Sequence, residues 1–259
     1  MEYSFPSGAA LITGAASGIG RAAAAAMSRS DLTVVGVDIA TDPGDDTKRF
    51  EDVVEDGELL EGDVTDPEDV SRAVRRAEAS GPIQAVVTCA GIGSRGGPGT
   101  VDRGDLRAAF AVHVEGTYEV VRRVLPGMRE RGEGAIVTTS SIAAAQGWRK
   151  TTDYAPAKGG IEALTRQLAA EVSPDGVRVN AVSPGFVRTG MNADVWARDR
   201  EADHEDRVDL STAKERTLLP GVGEPQDVGR VIAFLASEEA GFITGQVLPV
   251  DGGWTVNAW

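Results

Sequence analysis

The chain is poor in the residues that build metal sites and disulfide frameworks. Among 259 residues it has one cysteine, Cys89, and two histidines, His113 and His204. One thiol closes no internal disulfide and makes no multi-thiolate zinc site, and two distant histidines form no ligand cluster, so no metal is expected. A single free thiol fits a reducing, cytoplasmic setting. Basic residues are also scarce, 26 against 40 acidic ones, for a net charge of -14. Such a surface repels phosphate backbones and anionic membranes, so neither nucleic acid nor membrane is an expected partner. No run approaches the length of apolar residues that spans a bilayer. The N-terminus, "MEYSFPSGAALITGAAS", has neither a basic n-region nor a long apolar run. No signal peptide is therefore expected, and Met1 is expected to begin the native chain.

Hydrophobic residues make up 41% of the chain, ample for a core, and glycine is abundant at 32 residues. Short apolar runs alternate with longer helical patterns. The runs are "AALIT" (9–13), "LTVVGVD" (32–38), "ELLEGDV" (58–64), "IQAVVTCAG" (83–91), "GAIVTTSS" (134–141), "VRVNAVSPG" (177–185) and "QVLPVDGG" (246–253). They are continuously apolar, as in strands buried on both faces of a parallel sheet. Helical patterns fall between them, including a long one from Asp105 to about Arg131, one from Asp153 to about Val172, and 224–237. This alternation predicts one α/β domain over 1–259. It would be a Rossmann-like doubly wound fold with a seven-stranded, mostly parallel sheet and helices on both faces. The charged stretch 188–220 interrupts the pattern. It reads as a substrate lid or as a solvated surface excursion.

"TGAASGIG" (13–20) follows the first strand and opens the first helix. Gly14 permits a tight turn, Gly18 lets a pyrophosphate approach the backbone, and Gly20 lets helix and strand pack closely. The helix N-terminus then offers N–H groups to phosphate without any lysine. This is how an acidic protein can still bind a phosphate. Asp38 ends the second strand, where a carboxylate accepts from both adenosine ribose hydroxyls and repels a 2′-phosphate. No basic residue lies within "AAS" (15–17) to offset it, so NAD is expected over NADP. The plainer alternative for Asp38 is a strand-end turn residue.

"YAPAK" (154–158) places Tyr154 and Lys158 four residues apart, on one face of a helix. Pro156 is compatible with a helix that starts near Asp153, because first-turn N–H groups have no intrahelical partner. A nearby ammonium favours phenolate, so a lowered Tyr154 pKa is expected, suited to moving a proton on an alcohol or carbonyl oxygen. The plainer alternative is a surface tyrosine–lysine pair.

Together these segments resemble the classical short-chain dehydrogenase/reductases over essentially the whole length. "TGAASGIG" matches that family's cofactor turn, and "YAPAK" its Tyr-x-x-x-Lys. Ser141, thirteen residues before Tyr154, falls at its catalytic serine. "DV" (63–64), "SPGFVRTGM" (183–191) and "DGG" (251–253) resemble further family segments. The resemblance implies catalysis by Ser141, Tyr154 and Lys158, with hydride exchanged between NAD and a secondary alcohol or ketone. Lys158 would also bind the nicotinamide ribose. Implied cofactor contacts are Gly14, Ser17, Gly18, Ile19, Gly20, Asp38, Asp63, Val64, Ala90, Gly91, Tyr154, Lys158, Pro184, Gly185, Val187 and Thr189. It also implies a homo-oligomer, commonly a tetramer, pairing the helices at 105–131 and 153–172.

Two positions depart from the family pattern. "TCAG" (88–91) puts Cys89 where the family has an asparagine, read here as a small buried thiol. "FAVHVEGTY" (110–118) puts His113 where the family's fourth catalytic residue is usually asparagine. An imidazole there either serves an altered proton relay, sensitive to pH near 6.5, or is packing. If the relay is lost, the alternative function is an NAD-binding regulatory or scaffold protein. Trp148, Met191 and Trp196 are candidates for an apolar substrate wall.

Overall fold

A computed structural model describes residues 3–42, 48–94, 96–192 and 210–257. Seven strands form one sheet: β1 (Gly8–Thr13), β2 (Leu32–Asp38), β3 (Gly57–Glu61), β4 (Ile83–Thr88), β5 (Gly134–Thr139), β6 (Val177–Pro184) and β7 (Val247–Val250). Their order is β3-β2-β1-β4-β5-β6-β7. Every pairing is parallel, where the sequence predicted a mostly parallel sheet. The chain thus winds outward in both directions from β1 and β4, and the crevice for a ligand opens at their carboxyl ends.

The helices are α1 (Gly18–Met27), α2 (Pro67–Ala79), α3 (Arg103–Phe110), α4 (Gly116–Arg131), α5 (Tyr154–Val172), α6 (Leu210–Arg216) and α7 (Pro225–Ala236). One core joins a sheet face to α1 and α7, through Ala10, Ile12, Val34, Val87, Ala23, Met27, Val228 and Ile232. The opposite core uses Leu11, Val35, Val86, Val120, Val124, Leu168 and Val172 against α2, α4 and α5. Consecutive strand residues face opposite ways, so each central strand feeds both cores and must be apolar throughout. The edge strands differ from that expectation. β7 leaves Leu248 40% exposed, because among the described residues no further strand pairs with that edge. Helices α1 and α7 approach closely at Gly229, where an added Cβ would lie 2.7 Å from the Ala22 backbone.

Local signals set the boundaries. Asp66 caps α2 by accepting from the Glu68 N–H at 2.8 Å, with Pro67 in the first turn. Asp102 and Asp105 form a reciprocal capping box, so the long helix begins at Arg103, slightly earlier than its apolar periodicity indicates. That helix is also not uniform: residues Ala111–Glu115 make a π-helical turn between α3 and α4. His113 lies at its centre.

Candidate functional site

The glycine turn is shaped by steric necessity. Gly14 (φ 67°) lies against β4's continuation, where an added Cβ would be 2.7 Å from the Ala90 nitrogen. At Gly20 an added Cβ would come within 2.1 Å of the Gly14 oxygen, so only glycine lets α1 start this close to the strand. Gly18 has φ 52° and faces the Thr189 side chain across the cleft. Ser17 precedes the helix in extended geometry and makes no side-chain cap, leaving the first-turn N–H groups facing the cleft unpaired by it. One Asp38 carboxylate oxygen accepts from the Ala16 N–H at 3.0 Å. The other oxygen lies 3.4 Å from the Ala40 N–H, as in a strand-end turn, so the carboxylate is held beside the glycine turn while also serving the local turn.

A cleft of about 1200 Å³ runs from this turn to the start of α5. Of the residues named from the sequence, Gly14, Ser17, Gly18, Ile19, Gly20, Asp38, Asp63, Val64, Ala90, Gly91, Ser141, Tyr154, Lys158, Pro184, Gly185, Val187 and Thr189 all line it. The cradle that a Cβ would fill, the open N-terminus of α1 and the Asp38 carboxylate fit a dinucleotide laid along the strand ends. Among the described residues no three histidine, cysteine, aspartate or glutamate side chains gather as a metal site.

At the far end, β5 and α5 are cross-tied. The Lys158 ammonium, 4% exposed, donates to the Thr139 carbonyl at 2.7 Å. Ser140 Oγ donates to the Lys158 carbonyl at 3.2 Å. Lys158 Nζ stands 5.5 Å from the Tyr154 ring centroid. Ser141 stands near enough to the Tyr154 phenol to act on its pKa, and its Oγ accepts from the Ala143 N–H at 3.2 Å. Tyr154 is the first residue of α5, so Pro156 falls in the first turn and disrupts nothing. Asp153, fully buried, precedes it. Ser94 Oγ donates to Asp153 Oδ1 at 2.5 Å and lies 2.7 Å from the Lys150 carbonyl. Ser94, Asp153 and the Thr139 carbonyl were missed in the sequence. Only the adjacency of Asp153 to Tyr154 hinted at one of them.

The electrostatics correct the expected phenol. Burial pushes the Tyr154 pKa above its ordinary value, and Ser141 offsets this only in part. Lys158 does not lower it, because its own pKa falls below that of the phenol and it has lost its charge before the phenol titrates. Burial instead pulls Lys158 itself down to about 8, against a smaller opposing pull from Cys89. Cys89 makes a 3.0 Å contact with Thr139 Oγ1, and burial raises its pKa to about 11. The sequence suggested a buried thiol; Cys89 is only partly buried and lines the cleft, and its raised pKa keeps it protonated.

His113 does not line the cleft. It is 1% exposed and packs behind Gly91, where an added Cβ would be 2.5 Å from its Cε1. Its ring meets the Tyr154 ring edge-on, with centroids 5.5 Å apart. Nε2 lies 3.0 Å from the Ile92 carbonyl and 3.4 Å from the Ile92 nitrogen. The shorter contact assigns the proton to Nε2, leaving Nδ1 a buried acceptor without a partner among the described residues. Desolvation, reinforced by Lys158, lowers its pKa to about 3. The expected titration near 6.5 is therefore corrected: the imidazole is neutral at ordinary pH.

Trp148 lines the cleft and stacks on Trp254, with ring centroids 5.2 Å apart. Met191 lines it too, 49% exposed. Trp196, His204 and most of the predicted lid (193–209) lie outside the described residues.

The fold and cleft define a Rossmann-type doubly wound α/β protein with its cleft at the strand ends. A family model described as enoyl-(acyl carrier protein) reductase matches residues 14–255. The 3-oxoacyl-[acyl-carrier-protein] reductase FabG of Thermotoga maritima is 33% identical over 95% of this chain and 97% of its own length. Cis-4-hydroxycyclohexanecarboxylate dehydrogenase of Sinomonas cyclohexanicum is 34% identical over 98% and 99%. A solved short-chain type dehydrogenase/reductase from Mycobacterium ulcerans superposes with a TM-score of 0.84, at 30% identity over 98% of this chain and 92% of that one. The structure titled ElxO with NADP bound gives a TM-score of 0.83 at 27% identity, over 97% and 100%. The chain belongs to the short-chain dehydrogenase/reductase family, whose members are oxidoreductases that use a nicotinamide cofactor.

Proposed function

We propose that this protein is an NAD-dependent dehydrogenase that interconverts a secondary alcohol and a ketone. The observation that carries the reading is the assembly of Ser141, Tyr154 and Lys158 at one end of a cleft whose other end is the glycine turn. When bound, the nicotinamide supplies the hydride acceptor or donor. The residues of the chain do the rest. The Ser141 hydroxyl holds the substrate oxygen, and the Tyr154 phenol exchanges a proton with it. The raised phenol pKa makes Tyr154 a ready proton donor to a carbonyl. To accept a proton from an alcohol it needs the positive field of Lys158 and of oxidised nicotinamide. Lys158 binds the nicotinamide ribose, and neutral His113 supports the relay by backing the Tyr154 ring edge-on, its Nδ1 buried.

The Asp38 carboxylate, held at the glycine turn, favours NAD by accepting from the ribose hydroxyls and repelling a 2′-phosphate. NADP in the ElxO structure belongs to that protein and leaves this argument to be tested here. An alcohol-oxidising relative of similar length supports a small alcohol or ketone as substrate. The same reading includes one domain over 1–259, a cytoplasmic location, and a homotetramer that pairs α3–α4 and α5 between subunits. No helix among the described residues is long and apolar enough to cross a membrane. The intact Ser141–Tyr154–Lys158 group weighs against a purely regulatory role.

The test is turnover of secondary alcohols with NAD or NADP by purified protein and its Tyr154→Phe variant. Loss of the proton-transferring hydroxyl is expected to lower kcat by about a hundredfold or more while NAD still binds. Unchanged turnover in the variant would sink the mechanism.

A further inference from the structure

The cleft is electrically divided. Its carboxylates, Asp38 and Asp63, line the glycine-turn end, whereas Arg149, Lys150 and Arg216 line the other end with no lining carboxylate among the described residues. In a chain of net charge -14 that reversal is local and specific. Arg216 is the informative member. Its guanidinium carbon stands 5.9 Å over the Trp254 ring. No carboxylate among the described residues pairs with it, although acidic residues outnumber basic ones. A guanidinium beside an aromatic face still offers its N–H donors, which lie in its own plane, to another partner.

The mount is rigid. Trp254, 4% exposed, donates its indole N–H to Gln146 Oε1 at 3.2 Å and stacks on Trp148. Ile142, next to Ser141, packs in the same cluster as Trp254. The end of α6 is tied down on both sides: Asn257 Nδ2 donates to the Arg216 carbonyl at 2.9 Å, and the Leu218 and Leu219 N–H groups both reach the Gly252 carbonyl. Arg216 is exposed, with its backbone and its indole neighbour fixed, so the guanidinium is presented to solvent at the reacting end, where a ligand can meet it.

We infer that Arg216 binds a carboxylate carried by the substrate, whose ring or other flat apolar body lies against Trp148 while its carbinol carbon faces Ser141 and Tyr154. The planar fork of one guanidinium matches one planar carboxylate, and the overall negative charge disfavours a dianion such as phosphate. This rests on the dehydrogenase reading for the position of the reacting carbon, but its test does not need turnover.

Cyclohexanecarboxylate and benzoate, with their neutral amides, would be titrated into the protein–NAD complex and followed by tryptophan fluorescence and calorimetry. The acids are expected to bind saturably and the amides at least about tenfold more weakly. Arg216→Gln is expected to weaken acid binding by about tenfold or more without changing NAD affinity, and Arg216→Lys to restore part of it. Equal binding of acid and amide, no saturable acid binding by the wild type, or full acid binding by Arg216→Gln would each overturn the inference. Failure of the dehydrogenase reading would appear separately, as undiminished turnover in Tyr154→Phe.

Discussion

Acidification should cost this protein stability through one residue. His113 is buried and neutral, its Nε2–H committed to the Ile92 carbonyl and its Nδ1 given no carboxylate partner. Its pKa in the folded protein is lowered to about 3, while an unfolded imidazole titrates near 6.5. The unfolded state therefore binds a proton that the native state refuses. The associated stability is fully present above pH 6.5 and is lost as pH falls from there toward 3. Each pH unit below the unfolded value costs about 1.4 kcal/mol, so moving from pH 8 to pH 5 removes about 2 kcal/mol through His113 alone. The perturbation is His113→Asn, which keeps hydrogen-bonding capacity but cannot titrate. Urea unfolding of both proteins at pH 8 and pH 5 is the assay. His204 and every other titrating group remain in both and cancel. The wild type is expected to lose about 2 kcal/mol more than the variant between the two pH values. Parallel losses would refute the reasoning, because they would mean that His113 accepts a proton in the native cleft. Turnover of the variant would then also be read: a relay role for His113 predicts a kcat effect beyond the stability change.

Two further outcomes follow from the cofactor end of the cleft. Asp38→Asn keeps an acceptor for the Ala16 N–H but removes the charge, and should tighten NADP relative to NAD by about tenfold or more. An unchanged preference in paired affinity measurements would remove Asp38 as the selector. Gly20→Ala forces a methyl to within 2.1 Å of the Gly14 oxygen, so α1 must shift. A stability loss of about 1–3 kcal/mol with weakened cofactor binding is expected, and a wild-type Tm and NAD affinity would contradict that packing.

Much was legible in the chain because its signals are local. Continuous apolar runs marked the inner strands, since a strand covered on both sides has no polar face to show, while the edge strands β3 and β7 showed only shorter apolar pairs in the same alternation. The glycine spacing and the i, i+4 placement of Tyr154 and Lys158 are short-range geometry, and both arrived in one cleft as read. The errors have a physical cause as well. The exposed side of β7 and the early start at Arg103 depend on what lies beyond an element and on a capping box, not on its apolar period.

What the sequence determined by itself was which residues sit on which side of each element, and hence the sheet, the glycine turn and the placement of Tyr154 and Lys158 on one helix face. Tertiary structure decided their state. Whether Lys158 charges the phenol or donates to Thr139, whether His113 faces the cleft or packs behind Gly91, and whether Arg216 finds a carboxylate or an indole face are settled by residues far apart in the chain. Desolvation and partner direction set charge and pKa, and both are properties of the packed interior that no single segment carries.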